Sequence, residues 1–133
     1  MRLRLLVASV LGVACAPARP AVSPPAPLQR EPEPSRDAEV RAVTTRFVEA
    51  ASKKDFATVH ALLSKALRER YTIARLAEDF ANDPLATVRV EHLARHLTDP
   101  FRLDGRNASL EWAAGRALRL AREPEGWRIT GLE

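Results

Sequence analysis

The chain has 133 residues, with 21 Lys plus Arg against 17 Asp plus Glu, ten prolines and one cysteine. That length holds one modest core and not two domains, and a lone cysteine excludes an internal disulfide framework or a Cys-rich zinc module. A net charge of +4 and a pI near 10 raise nucleic acid as a partner. The excess is spread, however: residues 1–14 carry +2, residues 15–36 carry +1 and residues 37–133 carry +1. A nearly neutral folded part leaves no electrostatic footprint for nucleic acid, and 18 Arg beside 3 Lys and 23 Ala matches a GC-rich coding bias.

The first segment has the layout of a signal peptide. Arg2 and Arg4 supply positive charge, Leu5 to Leu11 is apolar apart from Ser9, and Gly12, Val13 and Ala14 lead to Cys15. The apolar run is too short for a permanent membrane span, which takes about 20 residues. Leu11-Gly12-Val13-Ala14-Cys15 resembles the lipobox of bacterial lipoproteins, with Gly12 where the pattern usually has Leu and Leu11 one step earlier. The resemblance implies that residues 1–14 are removed and that Cys15 carries acyl chains such as palmitate. At ~0.8 kcal/mol per buried methylene, two or three chains make a stable anchor. By the same resemblance, Ala16 in place of Asp implies the outer membrane, on its periplasmic face, over inner-membrane retention. The alternative is an ordinary secretory signal cut nearby, after Ala16 or Ala18.

Residues 15–36 form the expected linker, with seven of the ten prolines at 17, 20, 24, 25, 27, 32 and 34. Each proline fixes φ and removes a donor, so neither helix nor paired strand is expected there. At ~3.1 Å per residue an extended linker of this length reaches ~60 Å from the lipid. It reads either as a stalk or as a tail of no particular length.

The folded part is expected over residues 37–133. Asp37 is a candidate N-cap for a helix to about Ser52, with Val40, Val43, Phe47, Val48 and Ala51 on one stripe. Asp55 can cap a second helix with Phe56, Val59, Leu62, Leu63 and Leu67 inward, fraying near Arg68 to Arg70. Thr72 can cap a third, with Ile73, Leu76, Ala77 and Phe80 inward, stopped at Asn82-Asp83-Pro84. Residues 85–97 read as a strand in their first half, because Thr87, Val88 and Val90 are β-branched. The competing reading is a helix with Leu85, Val88, His92 and Leu93 inward. Alternation then predicts strands through Ala108-Leu110-Trp112, Leu118-Leu120 and Trp127-Ile129, with turns at Ala114-Gly115 and Glu123-Pro124-Glu125-Gly126.

The expected architecture is therefore α+β, with about three N-terminal helices packed on a curved antiparallel sheet of about four strands. Two stretches carry a family resemblance: the helical pair Val43 to Leu63, with its Ala50 to Phe56 junction, and the closing Leu118 to Ile129 hairpin. They are similar to the nuclear-transport-factor-2-like superfamily, a cone-shaped cystatin-like α+β roll. Members range from isomerases, cyclases and dehydratases to domains without chemistry, so the resemblance speaks to fold more than function.

Its enzymes place a tyrosine or protonated acid and a carboxylate base in an apolar cavity. Tyr71 is the single tyrosine here, at the junction of the second and third helices, and Glu111 falls on the opposite strand face from Leu110 and Trp112. No catalytic residue is assigned. Tyr71, His60 and Trp112 are the candidates to face a ligand.

His92 and His96 are four apart and could form half a zinc site with Glu91, Asp99 or Asp104, but Leu93 stands where the helical metalloprotease signature has Glu. No metal and no cofactor are expected, and no glycine-rich phosphate loop, nucleophile elbow or internal repeat occurs. Arg116, Arg119, Arg122 and Arg128, with Arg89 and Arg95, could form a basic sheet face for an anionic partner such as glycan, lipid headgroup or nucleic acid. Interleaved Glu111, Glu123 and Glu125, with Arg119 paired to Glu111 across strands, account for the same residues as an ordinary solvated face. Asn107-Ala108-Ser109 matches a glycosylation sequon that a bacterial setting would leave unused.

The expectation is an envelope lipoprotein held to the membrane through Cys15, whose non-catalytic domain binds an envelope protein or small ligand and no nucleic acid. The alternative is an isomerase- or cyclase-like enzyme using the cone cavity.

Overall fold

The computed structural model describes residues 35–133; the signal segment, Cys15 and the linker up to residue 34 lie outside the described residues. The architecture is α+β. Five helices are followed by a four-stranded antiparallel sheet in the order β1-β2-β3-β4.

Helix α1 (Arg36–Ser52) has its cap two residues before the expected Asp37. Ser35 caps it, its hydroxyl accepting the Ala38 N–H at 3.3 Å, and Asp37 instead pairs with Arg41 at 3.1 Å. The expected stripe is observed, with Val40, Phe47, Val48 and Ala51 buried. The helix closes in a Schellman arrangement: Lys54 N–H donates to Ala51 and Asp55 N–H to Ala50, with Lys54 at φ 58. An L-residue in that left-handed region costs about 1 kcal/mol relative to glycine. Lys54→Gly is accordingly expected to raise stability by roughly 1 kcal/mol, read as a higher denaturation midpoint. A lower midpoint would show that the Lys54 side chain contributes more than its backbone strain costs.

The expected second helix is two. Helix α2 (Phe56–Leu62) starts at Asp55, whose carboxylate takes the Thr58 hydroxyl at 2.7 Å and the Thr58 N–H at 3.2 Å. Those bonds hold the Asp55 carboxyl below its ordinary value, with Lys53 adding to the effect. Their contribution is thus present above the ordinary carboxylate range and lost as pH falls through the lowered value. Leu63 and Ser64 then adopt extended backbone, because Ser64 N–H donates to the Ile129 carbonyl at 2.8 Å and the buried Ser64 hydroxyl caps α3 (Lys65–Arg70). A serine able to satisfy both neighbours competes with continued helix. Helix α4 (Ile73–Asn82) is capped by Thr72 and ends before Pro84, as expected.

The strand expected after Leu85 is a helix, α5 (Ala86–Arg95). Its buried residues are Ala86, Val90 and Leu93, at helical spacing, while Leu85 and Val88 are 54% and 43% exposed. The Asp83 carboxylate holds its start, accepting the Leu85 N–H at 2.9 Å and Arg89 at 2.6 Å. Burial of one small and two larger apolar side chains against the core outweighs the modest strand preference of Thr87, Val88 and Val90.

The first strand is instead β1 (Arg102–Asp104), joined to β2 (Asn107–Ala113) by a turn with Gly105 at φ 56. β3 (Arg116–Glu123) and β4 (Gly126–Leu132) complete the meander, with Gly115 at φ 70 in the β2–β3 turn. Alternation is as expected: Ala108, Leu110, Trp112, Leu118, Leu120, Trp127 and Ile129 point inward. With Val40, Phe47, Val48, Val59, Leu62 and Leu93 they form one core. Glu39 on α1 ties the layers together, accepting from Trp127 Nε1 and Arg122 at 3.1 Å each. Arg41 closes the α5–β1 loop by donating to the Leu97 and Asp99 carbonyls, its guanidinium 5.1 Å from the Phe101 ring.

Candidate functional site

Helices α1 to α4 do not close fully on β4. They leave an apolar groove of about 330 Å³, at the small end of the range for ligand pockets. α1 contributes Phe47 and Ala51, α2 contributes Phe56 and Val59, and the kinked α2–α3 segment contributes Leu63 and Leu67. The opposite wall is Leu76 and Phe80 of α4, and Ile129 and Leu132 of β4 form the floor. Phe56 and Phe80 meet edge to face with centroids 5.4 Å apart. The break at Leu63–Ser64 matters here: it lets α3 turn away and bring Tyr71 to the rim.

Two groove residues carry ionisable groups, Tyr71 and Glu133. Tyr71 is half-buried, with the Arg70 guanidinium 5.9 Å from its ring. The Glu133 side chain is 66% exposed and pairs with Arg119 at 3.1 Å, away from the apolar floor. A lining so dominated by hydrocarbon stabilises an apolar guest by removing its surface from water, at about 25 cal/mol per Å².

The three candidate ligand-facing residues do not converge. Tyr71 lines the groove. His60 lies behind it and donates from Nε2 to the Tyr71 carbonyl at 2.8 Å; a carbonyl can only accept, so this bond places the hydrogen on Nε2. Trp112 is 6% exposed, on the inner face of β2 beneath α5, 6.3 Å from the His92 ring and remote from the groove lining. Its Nε1 is buried without a hydrogen-bond partner among the described residues. Glu111 is exposed on the outer face of the sheet.

His92 and His96 diverge as well. His92 meets Trp112 edge to face, while His96 Nδ1 lies 2.6 Å from the Asp99 carboxylate in the turn after α5. Among the described residues no group of three His, Cys, Asp or Glu side chains is placed to hold a metal ion. The arginine face differs from its expected form: Arg89 and Arg95 lie on α5, and Arg119 opposes Ser109 while Glu111 opposes Ala117. Pairing of Arg119 with Glu111 is thus replaced by pairing with Glu133.

Of the groove's lining only Tyr71 is among the expected ligand-facing residues; Phe56, Leu67, Leu76 and Phe80 are expected as inward positions of the helices. Their half-buried state signals a face that lacks a full partner. No family model, curated protein or solved structure matches this chain.

Proposed function

We propose that this is a lipid-anchored envelope protein whose domain is a non-catalytic binding module taking an apolar ligand, or an apolar side chain of an envelope partner, in the groove between α1–α4 and β4. The observation that carries the reading is the lining, eleven apolar or aromatic positions from Phe47 to Leu132 with Tyr71 the one hydroxyl at the rim and Glu133 turned to Arg119. General acid–base work needs a donor and a base within hydrogen-bond reach of one reacting atom. Tyr71 and Glu133 supply types that could do this, but the Glu133 carboxylate faces solvent and Arg119. Binding through buried area is the chemistry the lining favours.

The finer fold reading is a cone-like roll of the nuclear-transport-factor-2-like kind. Its support is the order of elements, helices followed by a four-stranded antiparallel meander, with an apolar groove between the helices and β4. The membrane attachment rests on the lipobox-like Leu11 to Cys15 and the proline-rich residues that follow.

The test is a titration with the neutral fluorophore N-phenyl-1-naphthylamine. Saturable enhancement is expected for the natural chain, and Leu76→Trp, which fills the groove from a half-buried position, should weaken it by about tenfold. Enhancement that does not saturate, or that Leu76→Trp leaves unchanged, would remove the groove from the account.

A further inference from the structure

The outward face of the sheet carries a second concavity, of about 610 Å³, and its chemistry is the reverse of the groove's. Its floor is small, with Ser109 and Ala117 on β2 and β3, and three arginines stand around it: Arg102 of β1, Arg116 at the start of β3 and Arg119. The other sheet arginines are engaged. Arg122 is held by Glu39, Arg128 by Glu125 and the Trp127 carbonyl, and Arg106 by the Arg122 carbonyl. Arg102 takes part in no ion pair among the described residues, Arg116 lies over the Trp112 ring, and Arg119 is paired with the exposed Glu133 at 3.1 Å.

Register makes the arginines convergent. Arg102 opposes Ser109, and Ser109 opposes Arg119, so both arginines flank one serine in a single cross-strand row. Neighbouring strands lie about 4.8 Å apart, which puts the two Cα atoms roughly 10 Å apart. The Arg102 side chain, and the Arg119 side chain once it exchanges Glu133 for a ligand, can reach over the Ser109 hydroxyl from either side. Planar guanidiniums in that placement match the oxygens of a phosphate. Glu111 lies two residues further along β2 on the same face, about 7 Å from Ser109. It would repel a bare polyanion and attract a cation beside the phosphate.

We propose that this face binds a phosphodiester bearing a primary amine, with Arg102 and Arg119 on the phosphate above Ser109, Arg116 adding charge at the edge, and Glu111 taking the ammonium. The ligand is a phosphoethanolamine group, presented either by a lipid headgroup or by a soluble diester. The proposal does not rest on the groove, whose apolar lining is on the other side of the sheet; Glu133, the partner of Arg119, touches both.

Arg116 supplies a reporter, because its guanidinium lies 5.8 Å from the Trp112 ring. The experiment titrates the full chain, in neutral detergent, with glycerophosphoethanolamine and follows tryptophan fluorescence and heat. Saturable binding is expected, weakened about tenfold or more by Arg102→Ala with Arg119→Ala, both exposed positions that leave the core intact. Glu111→Gln should weaken glycerophosphoethanolamine several-fold and strengthen inorganic phosphate. A response to phosphatidylethanolamine vesicles, absent with phosphatidylglycerol vesicles and stronger than that to the soluble diester, identifies the headgroup as the source; the opposite order identifies a soluble ligand. No saturable response to either presentation, or a response the double arginine variant leaves unchanged, overturns the site. An unchanged response in Glu111→Gln overturns the role of the amine.

Discussion

Leu118→Ala is expected to destabilise the domain by about 3 kcal/mol, the middle of the range for emptying a fully buried leucine site. Leu118 has no exposed surface and sits on β3, an inner strand of the sheet. Leu110 of β2 opposes it on one side and Leu132 of β4 on the other. Strands on both sides and helices above restrict how far the surroundings can collapse into the space, so the lost transfer energy and the cavity cost add. Domains of this size have only about 5–15 kcal/mol in all, so the variant loses a large share of its margin. The result should appear as a lower urea midpoint at unchanged slope. Val88→Ala, on the exposed side of α5, should move the midpoint by no more than about 0.5 kcal/mol. Equal shifts in the two variants would contradict the core described here.

Cys15→Ser is expected to have the largest effect on where the protein is found. Among the described residues no helix is long and apolar enough to cross a membrane, and residues 37–133 carry a net charge of only +1. The proposed membrane attachment rests on acyl chains on Cys15, where each buried methylene is worth ~0.8 kcal/mol and two chains already give stable anchoring. After carbonate washing, the natural chain should stay in the membrane pellet and Cys15→Ser should pass to the supernatant, with at least a tenfold change in the ratio. A variant that remains in the pellet would place the attachment elsewhere.

Much of the fold is legible in local pattern. Val40, Phe47, Val48 and Ala51 define α1, Thr72 and Pro84 bracket α4, and the alternation from Ala108 to Trp112 and around Leu118 and Leu120 marks β2 and β3. Other parts depend on distant partners. The α2–α3 break is set by Ser64 reaching Ile129, some sixty-five residues away in the chain, and no local periodicity encodes that bond. In α5 the buried positions are Ala86, Val90 and Leu93, while Val88 and the preceding Leu85 face solvent, so the apolar residues of this stretch are divided between two faces. The β1–β2 turn is a two-residue Gly105-Arg106 loop with Gly105 at φ 56, and β1 itself is only three residues long with all three exposed, so its alternation is too short to read.

The site is less legible than the fold. Tyr71 stands out as the single tyrosine at a helix junction and does line the groove, whereas Trp112 is an inner-face strand residue whose size suits core packing equally well. What makes the groove is incomplete closure of α4 on β4, and that depends on the direction α3 takes after Ser64. The arginine concavity depends on register in the same way: the Arg102–Ser109–Arg119 row joins residues from three strands that no local pattern pairs.

The most direct test of the binding account is a methyl NMR titration of the full chain with N-phenyl-1-naphthylamine. Saturable shifts should concentrate on Val59, Leu67, Leu76 and Leu132, which line the groove, and spare Val88 and Leu103, which are exposed elsewhere. Shifts centred on Val88 or Leu103, or spread evenly over both sets, would contradict it.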